Sequence, residues 1–130
     1  MCIRDRDVAA PTEPLHESLA RMVDALGADS VGRGGLSVVG AVVGATSPAL
    51  IARLRELMPR AIFLLPGVGA QGGAVEALGP AFLPGPAAGL VTASRSIVDA
   101  HAERGGDPAI AAAESAEALR AAAWTVAAGA

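Results

Sequence analysis

The 130-residue sequence contains no lysine and no tyrosine, and only one cysteine, one tryptophan and two phenylalanines. All ten of its basic side chains are arginines. Without lysine, no mechanism on this polypeptide can use a lysine ammonium or a lysine Schiff base. The lone Cys2 excludes a disulfide framework within the chain and fits a reducing, cytoplasmic compartment. Three aromatic side chains and a net charge of −3 leave neither the stacking platforms nor the clustered cations of a nucleic-acid binder. Long hydrophobic runs are missing too. Mean hydropathy is +0.47, yet the apolar runs at 37–45 and 61–68 fall well short of the ~20 residues that a spanning helix needs. A soluble protein that avoids membranes is expected.

Metal-ligand spacing is equally scarce. His16 and His101 are isolated, and His101-Ala102-Glu103 has the His-x-Glu spacing of zinc deaminases without the Pro-Cys-x-x-Cys that must follow it. Both histidines read as surface or internally satisfied residues, because a metal site needs several partners. Residues 1–6, Met-Cys-Ile-Arg-Asp-Arg, carry no apolar signal-peptide core and no periodicity. They resemble translated sequencing-adapter sequence and are set apart as an artefactual or disordered start, which makes residues 7–130 the domain. That length buries a real core but is about half the roughly 250 residues of a closed (β/α)8 barrel.

What is present alternates between helical and strand periods. Leu15, Leu19, Met22, Val23 and Leu26 recur at helical spacing, predicting a helix over 13–26 with Gly27 at its C-cap. Residues 36–44 form a β-branched apolar run that suits a strand buried on both faces. Ser47-Pro48 supplies an N-cap and a first-turn proline for a helix that Pro59 stops. The cycle then repeats: a buried strand at 61–65, a glycine-rich loop, a weaker helical stretch at 74–82, a turn at 83–86, a strand at 88–93, and a long helix from Asp107-Pro108 to about Val126. Strands of five to eight residues separated by helices imply right-handed crossovers and a parallel sheet of α/β type, its outer strands unpaired unless something joins them. Trp124, among Ala, Ile and Leu, reads as a core or interface anchor.

Chemistry concentrates at two strand ends. Gly67-Val68-Gly69-Ala70-Gln71-Gly72 matches G-x-G-x-x-G, but the carboxylate a dinucleotide fold wants after the next strand is replaced by Thr92, Ser94, Arg95 and Ser96. Arg95 and Gln71 instead follow consecutive strands, so if those strands are neighbours the two side chains start roughly 5–10 Å apart on one sheet edge. They can share one anion: Arg offers a charged fork, Gln an amide N–H, and the glycines let backbone amides approach. Phosphate bound by the last two βα loops is a recurrent barrel arrangement. Arg33 reads as a loop cation; Asp99, Ser96 and Thr46 stand near strand ends without forming a triad.

Val43-Gly44-Ala45-Thr46, Leu57-Met58-Pro59-Arg60-Ala61, Pro66-Gly67-Val68-Gly69-Ala70-Gln71-Gly72-Gly73 and Ser94-Arg95-Ser96-Ile97, in this order and spacing, resemble the C-terminal half of orotidine 5′-phosphate decarboxylase, in the form typical of actinobacteria. The resemblance covers about residues 12–126 and implies strands six to eight of a (β/α)8 barrel. It implies that Gln71 donates its amide to the substrate 5′-phosphate, that Arg95 clamps that phosphate, and that the backbone N–H of Ser94 or Arg95 completes the site. Val68, with Gly69 in the same loop, would lie against the pyrimidine. It further implies a cytoplasmic homodimer acting on a small-molecule nucleotide, with no metal or organic cofactor. The family's Asp-x-Lys-x-x-Asp array has no counterpart here, so this polypeptide alone is expected to be inactive. Two alternatives stand beside it: another phosphate-binding (β/α)8 enzyme, and a non-catalytic half-barrel that binds phosphorylated ligands.

Overall fold

The computed structural model describes residues 13–130. The start at 1–6, with Cys2, lies outside the described residues. Helix α1, Leu15–Gly27, runs into a 3-10 turn at Ala28–Ser30. Strand β1, Ala41–Val42, leads to α2, Pro48–Leu57. Strand β2, Phe63–Leu65, leads through the glycine loop to a 3-10 helix at Val75–Phe82. Strand β3, Gly89–Val91, is followed by two short helices, α3 at Arg95–Val98 and α4 at Ala100–Arg104, and by the long α5, Pro108–Ala128. The sheet is parallel, as the alternating periods predicted, and its order is β1-β2-β3.

The strands are shorter than expected, but the chain runs alongside its neighbour well beyond them. The amides of Ser37, Ala41, Val43 and Ala45 donate to the carbonyls of Arg60, Ile62, Leu64 and Pro66 at 2.8–3.0 Å. Between them, Val39 turns its amide onto Ser37 Oγ at 2.9 Å, which interrupts the ladder. The expectation that residues 36–44 are buried on both faces is corrected: only one face is covered. Val43, Ala45, Phe63 and Leu65 point into a core completed by Ala20, Ile51, Leu54, Met58, Leu78 and Phe82. On the opposite face Val42, Leu64 and Leu90 stand in register and are 50%, 37% and 54% exposed. Parallel sheets usually carry cover on both faces, and here the described helices supply it on one.

Asp107 caps α5 as expected, accepting from the amides of Ala109 at 2.8 Å and Ile110 at 3.2 Å. Ser47 precedes α2 but makes no side-chain cap; Pro48 starts the helix through its fixed φ alone. Gly27 is not a left-handed cap, since its φ is −86°. It is glycine for space: a Cβ there would sit 2.3 Å from Ser37 Oγ. Trp124 is no core anchor, being 62% exposed on α5. His16 is buried rather than superficial, and among the described residues the Nδ1 atoms of His16 and His101 have no hydrogen-bond partner.

Arg55, which sequence inspection passed over, ties the amino-terminal side of the sheet together. Its Nη1 donates to the carbonyls of Met58 at 2.9 Å and Ala61 at 2.7 Å, and its Nη2 to those of Ala81 at 2.7 Å and Ala88 at 3.2 Å. Four segments thereby share one buried cation: the end of α2, the entry to β2, the 3-10 helix and the entry to β3. Burial pushes the guanidinium down to about 10, still charged at neutral pH.

Candidate functional site

The loop that leaves β2 is built by glycine. Gly67, Gly69 and Gly72 have φ of 101°, 75° and 86°, the left-handed region that side chains with a Cβ avoid. The loop closes on itself: Gly72 N donates to Gly69 O at 2.8 Å, Gly69 N to Gly73 O at 3.0 Å, and Gly73 N to Gly67 O at 3.0 Å. At Gly73 a Cβ would meet Gly67 O at 2.6 Å and the Ala45 Cβ at 3.0 Å, so the loop is also packed against the end of the β1 segment. Gln71 folds back over this turn, its Oε1 3.2 Å from where a Gly67 Cβ would stand.

The loop that leaves β3 carries Arg95 at the first position of α3. β2 and β3 pair directly, Leu65 opposite Val91, so both loops emerge at one sheet edge. They enclose a small pocket of about 100 Å³, lined by residues 66–68, Ala70 and Gln71 from one side and by Thr92, Ala93, Ser94, Arg95 and Ser96 from the other. Arg95 and Gln71 are both exposed there. Among the described residues Arg21, Arg53, Arg60 and Arg120 are held in ion pairs, whereas Arg95, like Arg33, Arg55 and Arg104, is in none. An unpaired forked cation beside an amide donor and a glycine turn suits an anion. A larger groove, about 510 Å³, follows the open edge of β3 past Leu119 and Trp124. Its walls are mostly apolar; Arg95 and Ser96 also line a polar pocket of about 400 Å³ with Asp99, Glu103, Arg104 and Ser115, which Gln71 does not reach.

Four of the five residues singled out from the sequence, Val68, Gln71, Ser94 and Arg95, line that pocket together. Gly69 does not line it, and its amide is committed to Gly73 O; it shapes the turn instead. The dinucleotide alternative loses its physical basis, because the helix that should receive a pyrophosphate is a 3-10 stretch beginning at Val75, beyond the loop. Among the described residues no group of three or more His, Cys, Asp or Glu side chains is placed to hold a metal ion. No described helix is long and apolar enough to cross a membrane. Sequence inspection missed Ser115, whose hydroxyl donates to the backbone carbonyl of Ser96 at 2.7 Å from nineteen residues away. No local pattern marks such a contact.

Consecutive βα units in a parallel sheet, with a polar pocket where the loops leave adjacent strands, define a protein of the parallel α/β class, a class whose ligands commonly bind at the carboxyl ends of strands. Similarity to curated proteins narrows this. The chain is 38% identical over 96 residues to orotidine 5′-phosphate decarboxylase of Rhodopirellula baltica, covering 74% of this chain and 32% of that protein. It is 42% identical over 106 residues to the enzyme of the same name from Halorubrum lacusprofundi, covering 78% of this chain and 36% of that protein. The chain belongs to the orotidine 5′-phosphate decarboxylase family, and it spans about a third of the length of these curated relatives. A solved structure of Leishmania donovani OMP decarboxylase superposes with a TM-score of 0.61 at 28% identity, over 93% of this chain and 43% of that one. No family model matches the sequence.

Proposed function

We propose that this chain forms the phosphate-gripping part of an orotidine 5′-phosphate decarboxylase, its strands being the sixth to eighth of a (β/α)8 barrel. The observation that carries this is the convergence of Gln71 and Arg95, from loops after directly paired strands, on one small pocket. In this reading the Arg95 guanidinium clamps the 5′-phosphate of orotidine monophosphate, the Gln71 amide donates to it, and a backbone N–H of Ser94 or Arg95 completes the cradle. Val68, buried beside Gln71, lies against the pyrimidine, and Gly69 holds the turn that brings them together.

Phosphate binding far from the reacting carbon still serves decarboxylation, because binding energy realised at a remote group can close the site over the substrate and stabilise the transition state. The reaction as implied by the family needs a lysine to protonate the ring carbanion, and these 130 residues contain none. The proton donor must come from other βα units, which would also cover the open sheet face at Val42, Leu64 and Leu90. The assembled enzyme would be a cytoplasmic homodimer that uses no cofactor.

The test is titration of the chain with uridine 5′-monophosphate and inorganic phosphate, followed by thermal shift and by amide chemical shifts. Saturable binding by both, weakened about 10- to 100-fold in Arg95→Ala as expected for loss of charge-assisted bonds, supports the reading. Equal binding by Arg95→Ala would sink it, as would release of carbon dioxide from orotidine monophosphate by this chain alone.

A further inference from the structure

The residues of the pocket are not held by their own loops alone. α5 begins thirteen positions after Arg95 and runs back past α3 and α4, against which it packs. At one point it makes a polar contact with them: the Ser115 hydroxyl donates to the Ser96 carbonyl at 2.7 Å. Ser96 is the residue after Arg95, within the first turn of α3, where the chain changes direction between β3 and the helix. Its side chain in turn rests on the glycine loop, with Oγ 3.3 Å and Cβ 3.4 Å from the place a Gly69 Cβ would occupy. Gly69 has a φ of 75° and is bonded to Gly73, so it cannot drift without opening the turn that carries Gln71.

These contacts form one mechanical chain from α5 through Ser96 to the β2 loop, with Arg95 at its centre. Helix α3 has only four residues and no side-chain cap, so its orientation is poorly determined by its own hydrogen bonds. A hydroxyl that fixes the Ser96 peptide therefore fixes the direction in which Arg95 leaves the backbone.

We propose that Ser115 is a positioning residue for the anion site: it lies outside the pocket that Gln71 and Arg95 share, and it orients Arg95 by anchoring the Ser96 peptide to α5. The inference rests on the phosphate reading above and deepens it. Removing the hydroxyl allows Ser94–Arg95–Ser96 to sample other orientations, and the ordering of Arg95 is then charged against binding.

The experiment compares the full chain with Ser115→Ala, Ser115→Thr and Thr125→Ala, using inorganic phosphate as probe and amide chemical shifts and thermal unfolding as readouts. Thr125 sits on the same helix and donates only to Ala121 O within it, so its variant reports any general effect of losing a hydroxyl from α5. Ser115→Ala is expected to shift the amides of Ser96, Ile97 and Gly69 before any ligand is added, and to weaken phosphate about 3- to 10-fold, the worth of one neutral hydrogen bond. Ser115→Thr keeps the donor and restores wild-type affinity, and Thr125→Ala leaves affinity unchanged. Unmoved loop amides in a folded Ser115→Ala overturn the positioning role whatever the affinity does. Moved amides in a chain whose wild type binds no phosphate would uphold the coupling and overturn the phosphate reading instead.

Discussion

The guanidinium carbon of Arg55 lies 3.8 Å from the centre of the Phe63 ring, stacked on the first residue of the central strand while the four N–H bonds of its Nη1 and Nη2 reach four backbone carbonyls. Among the described residues no carboxylate pairs with it. The carbonyl dipoles and the ring face together replace the counter-ion, which is why a planar, delocalised cation is present instead of a compact ammonium. Replacing Arg55 with Met strands those carbonyls in the interior and is expected to cost about 3 kcal/mol. Arg55→Lys should recover only part of this, because one nitrogen cannot span the acceptors. Denaturant midpoints of the three proteins decide it.

Gly73 allows no side chain. Its Cβ would press on Gly67 O at 2.6 Å, a backbone atom of the same turn, and on Ala45 at 3.0 Å. Gly73→Ala is expected to lose about 2 kcal/mol of stability through overpacking, and to lose phosphate binding with it, because relief requires the turn that carries Gln71 to move. Gly79→Ala, which meets nothing within 4 Å, is the control and should bind phosphate normally.

An acid limb of stability is expected from the surface ion pairs. The hydrogen bond from Arg53 to Glu17, at 2.7 Å between Nη2 and Oε2, holds the Glu17 carboxyl below its ordinary range, and Arg120 does the same for Glu117. Both folded values are depressed, so the unfolded chain takes up protons first as pH falls. Their contribution is complete above roughly pH 5 and is lost on acidification through the folded values. Glu17→Gln should flatten part of that limb in denaturant midpoints measured between pH 3 and 7, while leaving the curve above pH 6 level.

The row of Val42, Leu64 and Leu90 should bind a hydrophobic dye such as anilinonaphthalene sulfonate. A triple variant, Val42→Thr with Leu64→Gln and Leu90→Gln, is expected to lose most of the dye fluorescence while its stability changes by less than about 1 kcal/mol per site, since a third to a half of each of these side chains is already in water. Dye binding that survives the triple substitution would place the accessible apolar surface elsewhere, for instance in the groove beside Trp124.

Much of the order of elements was legible because it depends on local periodicity and on capping and turn chemistry. Asp107-Pro108 begins α5 where expected, and Gln71 and Arg95 were expected to meet if their strands are neighbours, a condition that the pairing of β2 with β3 meets. The short helices α3 and α4 were not foreseen, since segments of four and five residues hold no full amphipathic period. Gly27 was assigned to the wrong cause: a glycine after a helical run reads the same whether it supplies a left-handed φ or room for Ser37. Arg55 looked like one more polar position in α2, because nothing near it in the chain announces acceptors at Ala81 and Ala88.

The sequence by itself determined the alternation of strand and helix, the absence of any lysine-dependent step on this chain, and the residue types at the pocket, all properties written in single side chains or short spacings. The tertiary structure decided that Val68, Gln71, Ser94 and Arg95 face one pocket while Gly69 serves the turn, that Arg55 and Ser115 brace the segments around it, and that one face of the sheet is open. Those facts depend on which distant segments touch, and burial and hydrogen bonding between residues far apart in sequence exist only once the chain has folded.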